Sequence, residues 1–173
     1  MPDPIIPPPG LPLPTGAAFP ALPMVKPVMP RFNPFNEAIA NRLTELYKTA
    51  LPSFAGLSQM QRDNEYAFIY NNGGNPGTVS TSHPPGMKDR IAVYPNTAGI
   101  IHSHPITSVA YPSGPDIEIA KKNKMPNYVL SQNALWMANP NGQIQQIANV
   151  QYKDGQLSLL PASGKNALLH NKP

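Results

Sequence analysis

The chain contains no cysteine, which removes disulfides, thiolate nucleophiles and cysteine-ligated metal sites in one step. It leaves the redox compartment open. Charge is sparse as well, at 13% of residues with a net balance of +4 and no long basic run, so nucleic acid is not an expected partner. The small basic patch of Lys121, Lys122 and Lys124 falls in the last turn of a predicted helix, where it offsets the helix dipole. No stretch approaches the ~20 apolar residues that span a bilayer, so no membrane span is expected. The start, Met1-Pro2-Asp3-Pro4, is acidic rather than basic, and prolines interrupt every apolar run near it. Ordinary signal-peptide export is therefore not expected. The expected location is the cytoplasm, or a destination reached by a specialised non-Sec route.

Proline is abundant instead: 24 residues, half of them before Glu37. Residues 1–32 read as an extended proline-rich arm, because proline lacks the backbone donor that a helix or central strand requires. The arm is not polar. Ile5, Ile6, Leu11, Leu13, Phe19, Leu22 and Met24 are costly to leave in water, which predicts docking on a partner or on the chain's own domain. The remainder has ordinary globular composition and length for one modest domain over residues 33–162, followed by a short tail over 163–173.

Within that domain Asn33-Pro34 predicts a helix start, with Asn33 as cap, and apolar residues at Ile39, Leu43, Leu46, Tyr47 and Ala50 share one face of the helix. Glu65-Tyr66-Ala67-Phe68-Ile69-Tyr70 is the clearest strand, and the glycine-rich turn after it returns as Val79 to Ser82. Alternation places Glu65 on the small-residue face with Ala67 and Ile69, either as a solvated strand end or as a functional carboxylate. Arg90 to Tyr94 reads as another short strand. His83 among prolines and His170 in the tail have no ligand at useful spacing and are read as incidental. Beyond residue 127 the punctuation is that of an antiparallel sheet, with hairpin turns at Asn139-Pro140-Asn141-Gly142 and Asp154-Gly155.

One stretch carries chemistry. Ala98-Gly99-Ile100-Ile101 is a short buried strand, and His102 and His104 follow two residues apart, so both imidazoles project to one side and Ser103 to the other. Pro105 ends the ladder. Ser113-Gly114-Pro115-Asp116 then has the form of a helix start, with Ser113 and Asp116 on the face that looks back at the strand end. Two neutral imidazoles and a carboxylate suit Zn²⁺, and three protein ligands leave its fourth tetrahedral position open.

His102-Ser103-His104-Pro105, then Ser113-Gly114-Pro115-Asp116, with Glu65 upstream, resembles the JAMM (MPN-plus) zinc metallopeptidases. More narrowly, Glu65 to Tyr70 and Pro126 to Ser131 look like the divergent bacterial branch of secreted and toxin-associated proteins. The resemblance covers roughly residues 60–150. Eight residues separate His104 from Ser113, where the family pattern has seven. The resemblance implies an α+β fold, a mixed sheet flanked by helices of the JAMM and cytidine-deaminase kind. It implies that His102, His104 and Asp116 hold zinc, that Glu65 acts as general base, and that Ser113 donates a hydrogen bond to the oxyanion. The implied activity is hydrolysis of a peptide or isopeptide bond in a protein or peptide substrate. A competing reading is a catalytically idle scaffold or adaptor of the same fold, whose proline-rich arm binds a protein partner.

Overall fold

The computed structural model describes residues 33–51, 64–81, 92–105 and 108–162. The proline-rich arm, His83, Arg90 and the tail with His170 lie outside the described residues. The described chain is α+β: a mixed, seven-stranded sheet with one helix on each face. In chain order the elements are α1 (Glu37–Ala50), β1 (Tyr66–Asn71), β2 (Ser80–Thr81), β3 (Thr97–Ser103), α2 (Gly114–Asn123), β4 (Asn127–Leu130), β5 (Ala134–Ala138), β6 (Ile144–Lys153) and β7 (Gln156–Pro161). The spatial order is β2-β1-β3-β4-β5-β6-β7. Only β3 and β4 run parallel, and α2 supplies the crossover that a parallel pair requires.

Helix α1 begins three residues later than its sequence predicts. Both Asn33-Pro34 and Asn36-Glu37 have cap chemistry, and the structure uses Asn36, whose Oδ1 accepts from the Ile39 amide at 2.9 Å. Asn33 instead accepts from the Phe35 amide at 3.0 Å in a tight turn. Tertiary contacts decide between the two caps. The turn swings Phe35 edge-on against Tyr70 and Tyr128, and the Asn36 Nδ2 donates to the Gly74 carbonyl at 2.8 Å. The predicted apolar stripe is the buried one: Ile39, Leu43, Leu46, Tyr47 and Ala50.

That stripe packs on Phe68, Ile101, Leu130, Leu135, Ala148, Val150 and Leu159 to form the main core. Burying each such side chain contributes about 1.5–3 kcal/mol. Gly99 is needed where the Tyr70 ring crosses β3, since a Cβ there would meet the ring hydroxyl at 2.4 Å. The β6–β7 hairpin turns on Asp154 and Gly155, both at positive φ (53° and 79°), as a two-residue turn between right-twisted strands demands.

Two short strands differ from expectation. Val79 to Ser82 contracts to β2, and Ser82 lies outside the described residues. The predicted strand over Arg90 to Tyr94 is not formed at residues 92–94, where Val93 and Tyr94 are exposed. A turn closed by the Thr97 amide on the Tyr94 carbonyl leads straight into β3, and among the described residues no strand pairs with residues 92–94. No helix among the described residues is long and apolar enough to cross a membrane.

Candidate metal centre

Register explains why the site forms at one end of β3. Residues paired across strands share a face, so His102 lies in a row with Ala67 on β1 and Val129 on β4. Ile101, one residue earlier, faces α1 and belongs to the main core. His102 therefore faces the α2 side, and His104, two residues on, faces the same way. Ser103 points elsewhere, as predicted: its Oγ accepts from the Tyr66 amide at 3.1 Å and clamps the start of β1. Continuing the β1–β3 register one step past both strand ends sets Glu65 opposite His104.

Helix α2 delivers the carboxylate. Ser113 is its N-cap, and Asp116 reaches back so that its Oδ2 accepts from the Ser113 amide at 2.7 Å and the Ser113 hydroxyl at 2.6 Å. The first turn is tied to the sheet by Asn127, fully buried on β4, whose Nδ2 donates to the Asp116 carbonyl at 3.1 Å. The helix start predicted at Ser113 is the start of α2. Lys121 and Lys122 lie in its last turn, and Lys124 is a left-handed C-cap.

The three predicted ligands converge. His102 Nε2 and His104 Nε2 are 3.2 Å apart, His102 Nε2 is 3.1 Å from Asp116 Oδ1, and His104 Nε2 is 3.3 Å from Asp116 Oδ2. All three residues are buried and close enough together to hold a metal ion. Donors each ~2.0–2.1 Å from one ion at the tetrahedral angle stand roughly 3.3 Å apart, so these separations fit a shared ion. Glu65 Oε1 lies 3.9 Å from His104 Nε2, with the Glu65 side chain 25% exposed. Glu65 thus borders the cluster while staying partly open to solvent.

The two histidines are supported unequally. His104 Nδ1 lies 2.7 Å from the Val109 carbonyl. A carbonyl can only accept, so Nδ1 carries the proton and Nε2 presents its lone pair to the cluster. His102 Nδ1 is buried and makes no hydrogen bond among the described residues.

Electrostatics follow from this packing. Burial alone would raise the Asp116 carboxyl, but hydrogen bonds with His102 and His104, the charge on His102 and the Ser113 hydroxyl hold it well below the usual carboxylate range. For His104, burial pulls the imidazole down. Asp116, the Val109 carbonyl and the charge on Glu65 outweigh that and leave it raised above its ordinary value. Two facing imidazole nitrogens at 3.2 Å need a proton or a cation between them or beside them, and Asp116 supplies the counter-charge for either.

Sequence reasoning brought His102, His104 and Asp116 together and missed their supports. The Val109 carbonyl has no residue-type signature, so no motif could have shown it. Asn127, a fully buried polar residue in a strand, was a usable signal. The expected oxyanion donor, Ser113, turns its hydroxyl to Asp116. A groove of about 690 Å³, lined by Asn33, Glu37, Leu43, Leu157 and Leu159 among others, runs between α1 and β7 on the other side of the sheet and contains none of these residues.

Fold and site together define an α+β protein with a candidate metal centre built from two histidines and an aspartate. No protein-family model matches the chain, and no curated protein matches it in sequence.

Proposed function

We propose that the chain is a zinc-dependent hydrolase of peptide or isopeptide bonds, of the JAMM metallopeptidase type. The observation that carries this reading is the convergence of His102, His104 and Asp116, with the Glu65 carboxylate 3.9 Å from one of the ligating nitrogens. The donor set of two imidazoles and one carboxylate favours Zn²⁺ and leaves a coordination position for substrate or water. Zinc held there would supply Lewis acidity and lower the pKa of a water towards neutrality. Glu65, partly exposed beside the cluster, would be the carboxylate placed to accept a proton from the attacking water and return it to the leaving amine. Ser113 orients Asp116 through its hydroxyl, and its proposed role as oxyanion donor would require that hydroxyl to leave Asp116. His104 is held in its ligating tautomer by Val109.

The same donor set also suits Fe(II), so the identity of the metal is part of the test. The bacterial secreted-effector setting rests on the resemblance alone, whereas a non-Sec route and a protein partner for the arm rest on the composition of residues 1–32; all belong to this proposal. Metal analysis of the purified full chain, followed by peptide hydrolysis with Glu65→Gln, tests the reading. Zinc should remain in the variant while turnover falls by two orders of magnitude or more. Zinc with no turnover even in the wild type would favour the adaptor, and absence of any bound metal would refute the hydrolase.

A further inference from the structure

Beside the ligands, the same face of the sheet carries an aromatic surface. The row that contains His102 and Val129 continues to Trp136 on β5. Strands lie ~4.8 Å apart, so the Trp136 backbone stands about 10 Å from that of His102. Tyr111 sets its ring edge-on to Trp136 with centroids 6.2 Å apart. Tyr111 is 42% exposed and Val109 45%.

These side chains are coupled to the ligands by the backbone. The Val109 carbonyl holds His104 Nδ1, and the fully buried Pro112 pins Tyr111 to Ser113, the cap of the helix that presents Asp116. One short segment therefore orients two ligands and offers two bulky apolar groups to solvent. Isolated exposed apolar side chains are ordinary on a protein surface; a contiguous set on the ligand face, held rigidly to that site, is a binding feature.

We propose that Tyr111 and Trp136, with Val109 at the rim, form a subsite for a bulky apolar or aromatic side chain of an extended peptide. The subsite is assigned the third residue from the bond at the metal ligands, because an extended peptide advances ~3.3 Å per residue and the His102 and Trp136 backbones, which carry the two ends, stand about 10 Å apart. Two rings already in edge contact accept a third in an edge or offset arrangement, and rigid aromatic side chains lose little freedom in doing so. The assignment of the substrate as a peptide rests on the hydrolase reading above.

Two measurements on the zinc-loaded full chain test it. Trp136 is the only tryptophan, so its emission reports occupancy of the shelf. Glu65→Gln protein is titrated with an alanine-serine decapeptide carrying one central phenylalanine and with its alanine counterpart. The phenylalanine peptide should shift the emission and bind about tenfold more tightly, a preference lost in Tyr111→Ala and kept in Tyr111→Phe. Equal binding of both peptides, or a preference that survives Tyr111→Ala, overturns the subsite. Separately, wild type and Glu65→Gln are incubated with a positional-scanning decapeptide library and the cuts are read by mass spectrometry. Glu65-dependent cutting enriched in bulky apolar residues three from the cut supports the subsite, and cutting without that enrichment overturns it while leaving the hydrolase standing. Selective binding with no Glu65-dependent cutting removes the hydrolase and leaves the subsite.

Discussion

The two faces of the sheet are built on different terms. Against α1 the sheet buries leucine, isoleucine, phenylalanine and tyrosine, with Leu43, Leu46, Ile101, Leu130 and Leu135 almost wholly removed from water. Beneath α2 the helix buries only Asp116 and Ala120, and among the buried Ile100, Val129 and Ala138 the sheet places the polar His102 and Asn127, with His104 just past the end of β3. Buried polar groups cost stability unless they are paired, and here His102, His104 and Asp116 pair around a single point while Asn127 donates to the Asp116 carbonyl; His102 Nδ1 and Asn127 Oδ1 have no hydrogen bond among the described residues. One face stabilises the fold. The other spends part of that stability on a preorganised cluster, which is the pattern expected where side chains must meet a ligand.

The contrast can be broken face by face. Leu46→Ala, in the α1 core, should cost about 2–5 kcal/mol in urea unfolding, yet the folded fraction should keep its metal. On the α2 face, a chelator should lower wild-type stability by ~2.7 kcal/mol relative to protein held at a hundred times the metal dissociation constant. The same chelator should leave the stability of a His102→Ala/His104→Ala variant unchanged. If Leu46→Ala removed metal as readily as the histidine variant, the two faces would be one cooperative site. Gly99→Ala drives a methyl into the Tyr70 ring and should cost about 1–3 kcal/mol, read by thermal melting, with metal content intact. Asn36→Ala removes the α1 cap and should cost about 1 kcal/mol.

pH sharpens the comparison without mutation. The Asp116 carboxyl is lowered on folding, so in chelator-treated protein its contribution is present above the ordinary carboxylate range and lost as pH falls through its native value. His104 is raised on folding, so its contribution is complete below the ordinary imidazole value and lost as pH rises through the native one. Metal-free protein should therefore melt highest in mildly acid solution. Metal binding runs the opposite way, because ligating imidazoles must shed their protons, and metal affinity should rise from pH 6 to pH 8. Melting curves across that range, with and without metal, should cross over in sign.

What the sequence made legible follows from how local each signal is. The α1 stripe and the His102-to-Asp116 cluster depend on spacings within one or two elements, and each is where the residues place it. The start of α1 was decided by Phe35 meeting Tyr70 and Tyr128, contacts far away in sequence, when two nearby caps were chemically equivalent. Residues 92–94 form no strand with any described neighbour, and strand propensity is realised only where a partner strand is available. Glu65 needed both kinds of information. Its face could be read from alternation, but its distance to His104 is set by the antiparallel register of β1 on β3.

The central claim is that His102, His104 and Asp116 form a zinc site, and elemental analysis tests it most directly. Full-length protein purified without chelator or added metal should carry about one zinc ion per chain, and the His102→Ala/His104→Ala variant, folded by circular dichroism, should carry essentially none. Wild-type protein without bound metal, or with the same metal content as the folded variant, would contradict it.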